Sequence, residues 1–176
     1  MIDITRALTT LATVRPIFHS EADFQHALAW KIHELTPTCS MRLEFKPPQV
    51  DRRIYVDVWA TDDKVTTAIE LKYKTRGLIV SVGGESFDLK DQSTQVVGKY
   101  EFLKDIQRLE EIISGRDVIV GYALFLTNDS AYWKLSRGKD TLDANFRIHE
   151  GRNITGELVW RTSESRGRWT VKMPPP

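Results

Sequence analysis

Two acidic residues and a lysine lie on neighbouring predicted strands, at a spacing that could bring their side chains together. Residues 53–60 (RIYVDVWA) and 66–73 (TTAIELKY) are rich in β-branched and aromatic residues, which is typical of strands. The first segment carries Asp57, and the second carries Glu70 and Lys72. Because successive side chains of a strand point to opposite faces, Glu70 and Lys72 are expected on one face of the sheet.

The turn between these strands determines which residues face each other. A tight turn centred on Asp63 and Lys64 pairs position 57 with position 70, and directly opposed side chains have Cβ atoms roughly 4.5–5.5 Å apart. Two carboxylates that close repel each other unless a cation lies between them. A hard divalent cation such as Mg²⁺ prefers oxygen ligands, polarises a phosphoryl oxygen and supplies a nucleophilic water. We therefore expect a phosphodiester-hydrolysis site, in which Lys72 orients or deprotonates the water or stabilises charge on the phosphate.

A purely structural role for these residues is the alternative. Lys72 could form a salt bridge with Glu70 or Asp57 on a solvated sheet face, and the short pattern is not specific by itself. Two features of the sequence favour a catalytic role over a structural one. The opposite faces of both strands are apolar, and Glu21 lies on the apolar stripe of a predicted preceding helix, where a carboxylate needs a partner.

Hydrophobic spacing and turn residues predict the elements that position the site. A helix at 20–35 has Ser20 as its N-cap and ends before Pro37. Strands are predicted at 41–46, 53–60 and 66–73, a hairpin insert at 78–82 and 85–89, a helix at 97–114, a fully buried strand at 118–126, and weaker strands at 156–162 and 167–173. The predicted fold class is α/β (α+β), in the order α-β-β-β-(hairpin insert)-α-β, with a strand-rich C-terminal tail.

Length, charge and cysteine content exclude several classes of protein. The 176 residues predict a single domain, and the formal net charge of +1 excludes a general polycation but not a nucleic-acid enzyme. The single cysteine, Cys39, cannot form an internal disulfide, and no Cys/His cluster offers a zinc site. The apolar run 118–126 is too short to span a bilayer, and the N-terminus has no signal-peptide pattern. A cytoplasmic protein without a membrane partner is expected.

The motif and the element order resemble the core of the PD-(D/E)xK nuclease superfamily, which has the restriction-endonuclease-like fold with a mixed central sheet flanked by helices. The motif stands here as Val56-Asp57 followed by Glu70-Leu71-Lys72, with Val56 in place of the proline. The likeness covers roughly residues 18–127, so that 128–176 form a C-terminal extension of the single domain 1–176. Residues 87–92 (FDLKDQ) and 100–110 (YEFLKDIQRLE) also resemble bacterial proteins of this superfamily, which indicates a subfamily but no substrate.

The resemblance implies a metal-dependent nuclease that hydrolyses phosphodiester bonds by attack of a metal-activated water, in DNA more than in RNA. It implies that Asp57, Glu70 and the backbone carbonyl of Leu71 bind Mg²⁺ or Mn²⁺. Lys72 would be the catalytic lysine, and Glu21 the first-helix acid that binds metal-coordinated water or a second metal. Bacterial defence or DNA processing is the implied role, and endonuclease and exonuclease action both remain open.

Further polar residues are candidate substrate contacts. Asp105 and Arg108, at i and i+3 of the second helix, are instead expected to form a structural ion pair. A hydrophilic loop and a solvated helix face are the structural alternatives for the candidate glutamines and lysines. The candidates are Gln92, Gln95, Arg53, Lys74, Arg76 and Lys99.

Two other classes of function share these residues. One is a catalytically weak or inactive nucleic-acid-binding module of nuclease-like fold within a larger complex, and the other is an RNA-directed nuclease. The intact set of Asp57, Glu70 and Lys72 favours an active enzyme over the first. The small size of the chain favours a homodimer or a partner protein.

Overall fold

The computed structural model describes residues 1–48, 54–63, 65–92, 94–135, 141–160 and 170–174. The helices are α1 (Ile4–Val14), α2 (Glu21–Leu35) and α3 (Gln95–Ile113), with a short 3₁₀ helix at Ala144–Phe146. The strands are β1 (Ser40–Phe45), β2 (Val56–Asp62), β3 (Val65–Lys74), β4 (Leu78–Val82), β5 (Glu85–Leu89), β6 (Ile119–Thr127), β7 (Gly156–Leu158) and β8 (Val171–Met173). Among the described residues, no helix is long and apolar enough to cross a membrane.

A mixed four-stranded sheet in the order β1-β2-β3-β6 forms the centre of the molecule. β2 lies antiparallel to both β1 and β3, whereas β6 lies parallel to β3. A parallel pair requires a crossover connection, and here the β4–β5 hairpin and α3 provide it. The predicted α+β class with a mixed sheet is therefore confirmed.

Helix α2 begins as its sequence predicts. The side chain of Ser20 accepts a hydrogen bond from the backbone N–H of Asp23 at 3.1 Å, and so satisfies one of the free donors of the first turn. Phe24, Leu28 and Ile32 are buried at helical spacing and pack into the core beneath the sheet. The predicted helix at 20–35 is confirmed.

Helix α1 is an element that the sequence analysis did not assign. The side chain of Asp3 caps it by accepting from the backbone N–H of Arg6 at 2.9 Å. Its buried residues Ile4, Ala7 and Leu11 recur at spacings of three and four and join the core of α2. The first helix of the chain therefore adds to the layer that covers one face of the sheet.

The register of β2 and β3 agrees with the predicted turn. The paired residues run from Asp62↔Val65 to Val58↔Ile69, which leaves Asp57 and Glu70 as the next position on each strand. Asp63 has a φ of +52°, in the left-handed region that aspartate tolerates in tight turns. Lys64, the other predicted turn residue, lies outside the described residues.

The two faces of the sheet pack against different helices. Ile69, Leu71 and Tyr73 of β3 belong to the core that α1 and α2 cover. Ala68 belongs to a second core, together with Leu109 and Ile112 of α3. Strand alternation therefore turns Glu70 and Lys72, which share a face with Ala68, toward α3.

Strand β6 differs from its prediction as a fully buried strand. Every residue from Ile119 to Thr127 is partly exposed, whereas Val56, Val58 and Ala60 of β2 are fully buried. The difference follows from position, because β6 is the last strand in the sheet order and pairs only with β3 within the described part of the chain.

The C-terminal tail packs on α3. Strands β7 and β8 form a two-stranded antiparallel sheet that is shorter than predicted, and residues 161–169, which include parts of both predictions, lie outside the described residues. Leu158 and Val171 of this sheet are buried against Tyr100 and Leu103 of α3, together with Phe146. The tail therefore covers the first half of α3.

Candidate active site

Glu70 is a buried carboxylate that is only partly paired. It lies on β3 with 2 % of its surface exposed, and its Oε2 atom lies 3.0 Å from Nη2 of Arg108. Its Oε1 atom is buried and has no hydrogen-bond partner among the described residues. Burial raises the pKa of Glu70 to about 8; Arg108 opposes this increase and the neighbouring Asp57 adds to it.

Asp57 lies beside Glu70, at the point where the β2–β3 pairing ends. Its Oδ2 atom accepts a hydrogen bond from the backbone N–H of Leu71 at 2.5 Å. Burial raises the pKa of Asp57 to about 6; this hydrogen bond lowers it, while Glu44 and Glu21 raise it further. The side chains of Asp57 and Glu70 thus belong to one electrostatically coupled cluster.

Lys72 contributes a cation to the same cluster. Its Nζ atom lies 3.1 Å from Oδ2 of Asp105 on α3. Burial alone would lower the pKa of Lys72, but Asp105 and Glu21 outweigh it and hold the pKa above its ordinary value. The side chain is therefore an ammonium ion at neutral pH, suited to stabilising negative charge and not to taking up a proton.

Glu21, the first residue of α2, reaches the same end of β3. Its Oε2 atom accepts a hydrogen bond from the backbone N–H of Tyr73 at 2.7 Å. The residue is exposed, so the expectation of an inward-facing carboxylate is corrected: the side chain lies at the rim of the site. It contributes to the electrostatic field at both Asp57 and Lys72.

Asp105 and Arg108 form the expected ion pair on α3, but they also contact the motif residues. Asp105 is buried, and burial raises its pKa against the opposing effect of Lys72 and Arg108. The sequence analysis expected a structural pair only. The signal that could have identified a site role is that Asp105, Leu109 and Ile112 recur at helical spacing, which places Asp105 on the buried face of the helix.

Gln25 is a buried residue that contacts Asp57 and that the sequence analysis missed. Its Nε2 atom donates to the backbone carbonyl of Asp57 at 2.8 Å and to Oε1 of Glu44 at 2.9 Å. Glu44 has a φ of +48°, and Gln25 is 7 % exposed. Its position next to Phe24 and three residues before Leu28, on the buried side of α2, was the available signal.

The charges of the cluster fit a divalent cation. Its carboxylates outnumber its cations, and the unpaired buried Oε1 atom of Glu70 is an available oxygen ligand. No group of three or more His, Cys, Asp or Glu side chains among the described residues is arranged to hold a metal. The predicted ligand set needs only two such side chains, with a backbone carbonyl and waters completing it. The members of the cluster are Glu21, Asp57, Glu70, Lys72, Asp105 and Arg108.

Two of the candidate substrate contacts lie beside Glu21. Lys74 and Gln92 line a cavity of about 370 Å³ that Glu21 also borders. Lys74 pairs with Glu101 at 3.0 Å, and the side-chain oxygen of Gln92 accepts from the backbone N–H of Thr75 at 3.1 Å. The structure therefore brings these two candidates to the rim of the cluster.

Arg76 and Gln95 lie around a different depression. They line a cavity of about 390 Å³ with Asp129, whose Oδ2 atom accepts from Nε2 of Gln95 at 2.7 Å. Arg76 is exposed, and its backbone is held by Asn128. Arg53 lies outside the described residues.

Lys99 is buried and not on a solvated helix face. Only 6 % of its surface is exposed, and its Nζ atom lies 3.3 Å from Oδ2 of Asp143. Lys99 is buried because the C-terminal tail packs on α3 and covers the helix face that the sequence analysis expected to be exposed to solvent. Lys99 therefore pairs with a carboxylate of the protein itself, and its position does not fit the predicted contact with a substrate phosphate.

Comparison of the chain with protein-family models, with curated proteins and with solved structures gives no match. The likeness to the nuclease superfamily therefore depends on the motif residues and on the order of the elements that hold them.

Proposed function

We propose that the protein is a divalent-metal-dependent nuclease of the restriction-endonuclease-like fold that hydrolyses phosphodiester bonds in DNA. One observation carries the proposal. Asp57 and Glu70 occupy adjoining positions on antiparallel strands, and the buried Glu70 carboxylate keeps one oxygen without a partner in the described structure. Leaving such an oxygen unpaired is costly, so it is better explained as a ligand position than as a structural contact.

Asp57, Glu70 and the backbone carbonyl of Leu71 would hold Mg²⁺ or Mn²⁺, because these are the hard oxygen ligands that both ions prefer. The bound ion would polarise the scissile phosphate and lower the pKa of a water molecule. The hydrogen bond that the Leu71 N–H donates to Asp57 holds the Asp57 carboxylate beside the peptide group that joins Glu70 to Leu71, and so supports the assignment. Gln25 also supports the assignment, because its side chain donates a hydrogen bond to the backbone carbonyl of Asp57 and so fixes the position of this residue.

Lys72 and Glu21 act on the substrate and the water. Lys72 carries a positive charge at neutral pH, so its ammonium donates to the phosphate and stabilises the charge that develops during attack. Glu21, exposed at the rim, orients the attacking water. Lys74 and Lys90 line the adjoining cavity, where they offer positive charge to neighbouring phosphates of a bound strand.

A panel of nucleic acids tests this proposal. We expect the purified chain to cleave DNA in Mg²⁺ or Mn²⁺ and to leave it intact in EDTA. Linear, circular and single-stranded DNA and an RNA of matched sequence are incubated with each metal and with the chelator. Cleavage of the circle indicates endonuclease action. Cleavage of RNA alone would instead indicate an RNA-directed nuclease, and binding without cleavage would indicate a binding module.

A further inference from the structure

We infer that Arg108 is an exchangeable cation of the active site. Arg108 pairs with Glu70 while no divalent cation is bound. When Glu70 binds the metal, Arg108 loses this contact and binds a substrate phosphate instead. The inference rests on the proposed function, because it assigns Glu70 as a metal ligand. It adds a residue outside the motif and states when that residue contacts the substrate.

The contact between Arg108 and Glu70 is incomplete on both sides. Nη2 of Arg108 serves both Glu70 and Asp105, while the buried Nε atom of Arg108 and Oε1 of Glu70 have no hydrogen-bond partner within the described residues. An arginine can meet a carboxylate with two parallel hydrogen bonds, which is the stronger arrangement. The geometry of this pair therefore leaves a binding position on Glu70 for another cation.

The same chain contains a complete pair for comparison. Nη1 and Nη2 of Arg15 donate to Oδ1 and Oδ2 of Asp23 at 3.0 and 2.8 Å. That pair joins the segment after α1 to α2 and uses both oxygens of the carboxylate. Arg108 instead contacts Glu70 through one nitrogen and one oxygen. A contact with a single hydrogen bond is weaker than the two-bond pair, as an exchangeable contact requires.

Asp105 keeps Arg108 at the site when Glu70 binds the metal. It lies one helical turn before Arg108 and pairs with it, while its other oxygen lies 3.1 Å from Nζ of Lys72. The side chain of Arg108 is 34 % exposed, in contrast to the buried Glu70, so the guanidinium can turn outward without losing Asp105. A guanidinium held in this position has donors free for a phosphate, the group that it binds best.

Metal affinity tests the exchange, because the inference predicts a gain where structural damage predicts a loss. Arg108→Met removes both the competing group and its positive charge, so we expect Mn²⁺ to bind about tenfold more tightly by calorimetry, which is within the range typical of two coupled binding events. Arg116→Met is the matched control, because Arg116 follows α3 and bonds to the carbonyl of Ile112. It should bind Mn²⁺ as the parent does. Arg108→Gln replaces R108M if that variant does not fold.

DNA affinity tests the second half of the inference. K72M and K72M/R108M are compared in Mn²⁺. Both lack the proposed catalytic lysine, so that cleavage does not interfere with the binding measurement. Binding of each variant to a DNA duplex is measured over a range of salt concentrations. We expect the slope of log K against log salt to fall by about 1 on loss of Arg108, as for one phosphate contact. R108K should restore part of the DNA affinity, since it keeps the charge.

The outcomes separate this inference from the proposed function. Tighter Mn²⁺ binding by R108M with a reduced salt slope supports it. Unchanged or weaker Mn²⁺ binding, or an unchanged slope, overturns it, while Mn²⁺ binding by the parent chain leaves the proposed function standing. A parent chain that binds no Mn²⁺ overturns the proposed function and this inference with it.

Discussion

The carboxylate of Asp57 accepts a hydrogen bond from the backbone N–H of Leu71 at 2.5 Å. Asp57 lies one position beyond the last residue pair of β2 and β3, Val58↔Ile69, and Leu71 lies two positions beyond it. Beyond this pair, β2 stays paired with β1 as far as Val56 but no longer pairs with β3. An acidic side chain thus takes the donor that a continuing ladder would have used. The pairing of β2 with β3 therefore ends at the position of the two carboxylates, Asp57 and Glu70.

The stability of the metal-free protein should depend on pH through Glu70. Its pKa is raised from 4.5 to about 8 by burial, so its contribution to the free energy of unfolding is fully present below pH 4.5 and is lost as the pH rises through about 8. Glu70→Gln removes this dependence. In EDTA, we expect the free energy of unfolding of the parent, relative to E70Q, to fall by a few kcal/mol, as an order of magnitude, between pH 5 and pH 9.

Urea unfolding at a series of pH values measures this difference. Glu111 is exposed on the same helix as Arg108, so Glu111→Gln is the control and should follow the parent at every pH. Parallel curves for the parent and E70Q would contradict the raised pKa of the buried carboxyl group.

Gln25 should position Asp57 as well as stabilise the fold. Gln25→Ala leaves the Asp57 carbonyl and the Glu44 carboxylate without their donor, at a cost of about 1–3 kcal/mol in the free energy of unfolding. Mn²⁺ binding should weaken at the same time, because Asp57 loses its support. Gln107→Ala, which removes bonds to Lys104 and Glu111 on α3, is the control. A Q25A variant as stable as the parent and equal to it in metal affinity would refute this role.

Lys99 should matter for stability and not for DNA binding. Lys99→Met leaves the nearly buried Asp143 without its cation, which we expect to cost about 3 kcal/mol in the free energy of unfolding. Fluorescence anisotropy with labelled DNA should give the parent affinity at a temperature where both proteins are folded. Lys104→Met serves as the control, since Lys104 bonds to the side chain of Gln107 on the same helix and, within the described residues, to no carboxylate. Weaker DNA binding by K99M with unchanged stability would return Lys99 to the substrate contacts.

Gly98 permits the close packing of α3 against the segment after β6. A Cβ atom at this position would lie 2.5 Å from the hydroxyl oxygen of Tyr132, which is 3 % exposed. Gly98→Ala should therefore destabilise the protein by about 1–3 kcal/mol, despite the higher helix propensity of alanine. Tyr132→Phe removes the nearest atom and should recover part of this loss. A double-mutant cycle measures the coupling, and strictly additive effects would rule out the contact.

The sequence determined the local features of the site well. The cap at Ser20, the bounds of β4 and β5, and the register that leaves Asp57 beside Glu70 follow from side-chain types and turn residues near each element. Such features depend on short-range geometry, which spacing along the chain records directly.

Long-range features were not accessible in the same way. Arg108 and Glu70 are 38 residues apart along the chain, and their contact depends on how α3 lies across β3. The partial exposure of β6 depends on its place in the sheet, and the burial of Lys99 depends on the packed tail. A pattern on one element does not record which other element will cover it.

Single-turnover cleavage of duplex DNA in Mg²⁺ by E70Q and K72M tests the central claim most directly. We expect both variants to lose at least about a hundredfold in rate. E70Q removes a proposed ligand of the metal, and K72M removes the ammonium that stabilises the negative charge developing on the phosphate. E111Q should cleave at the parent rate. Cleavage by E70Q or K72M as fast as that by the parent would contradict the assignment of this cluster as a nuclease site.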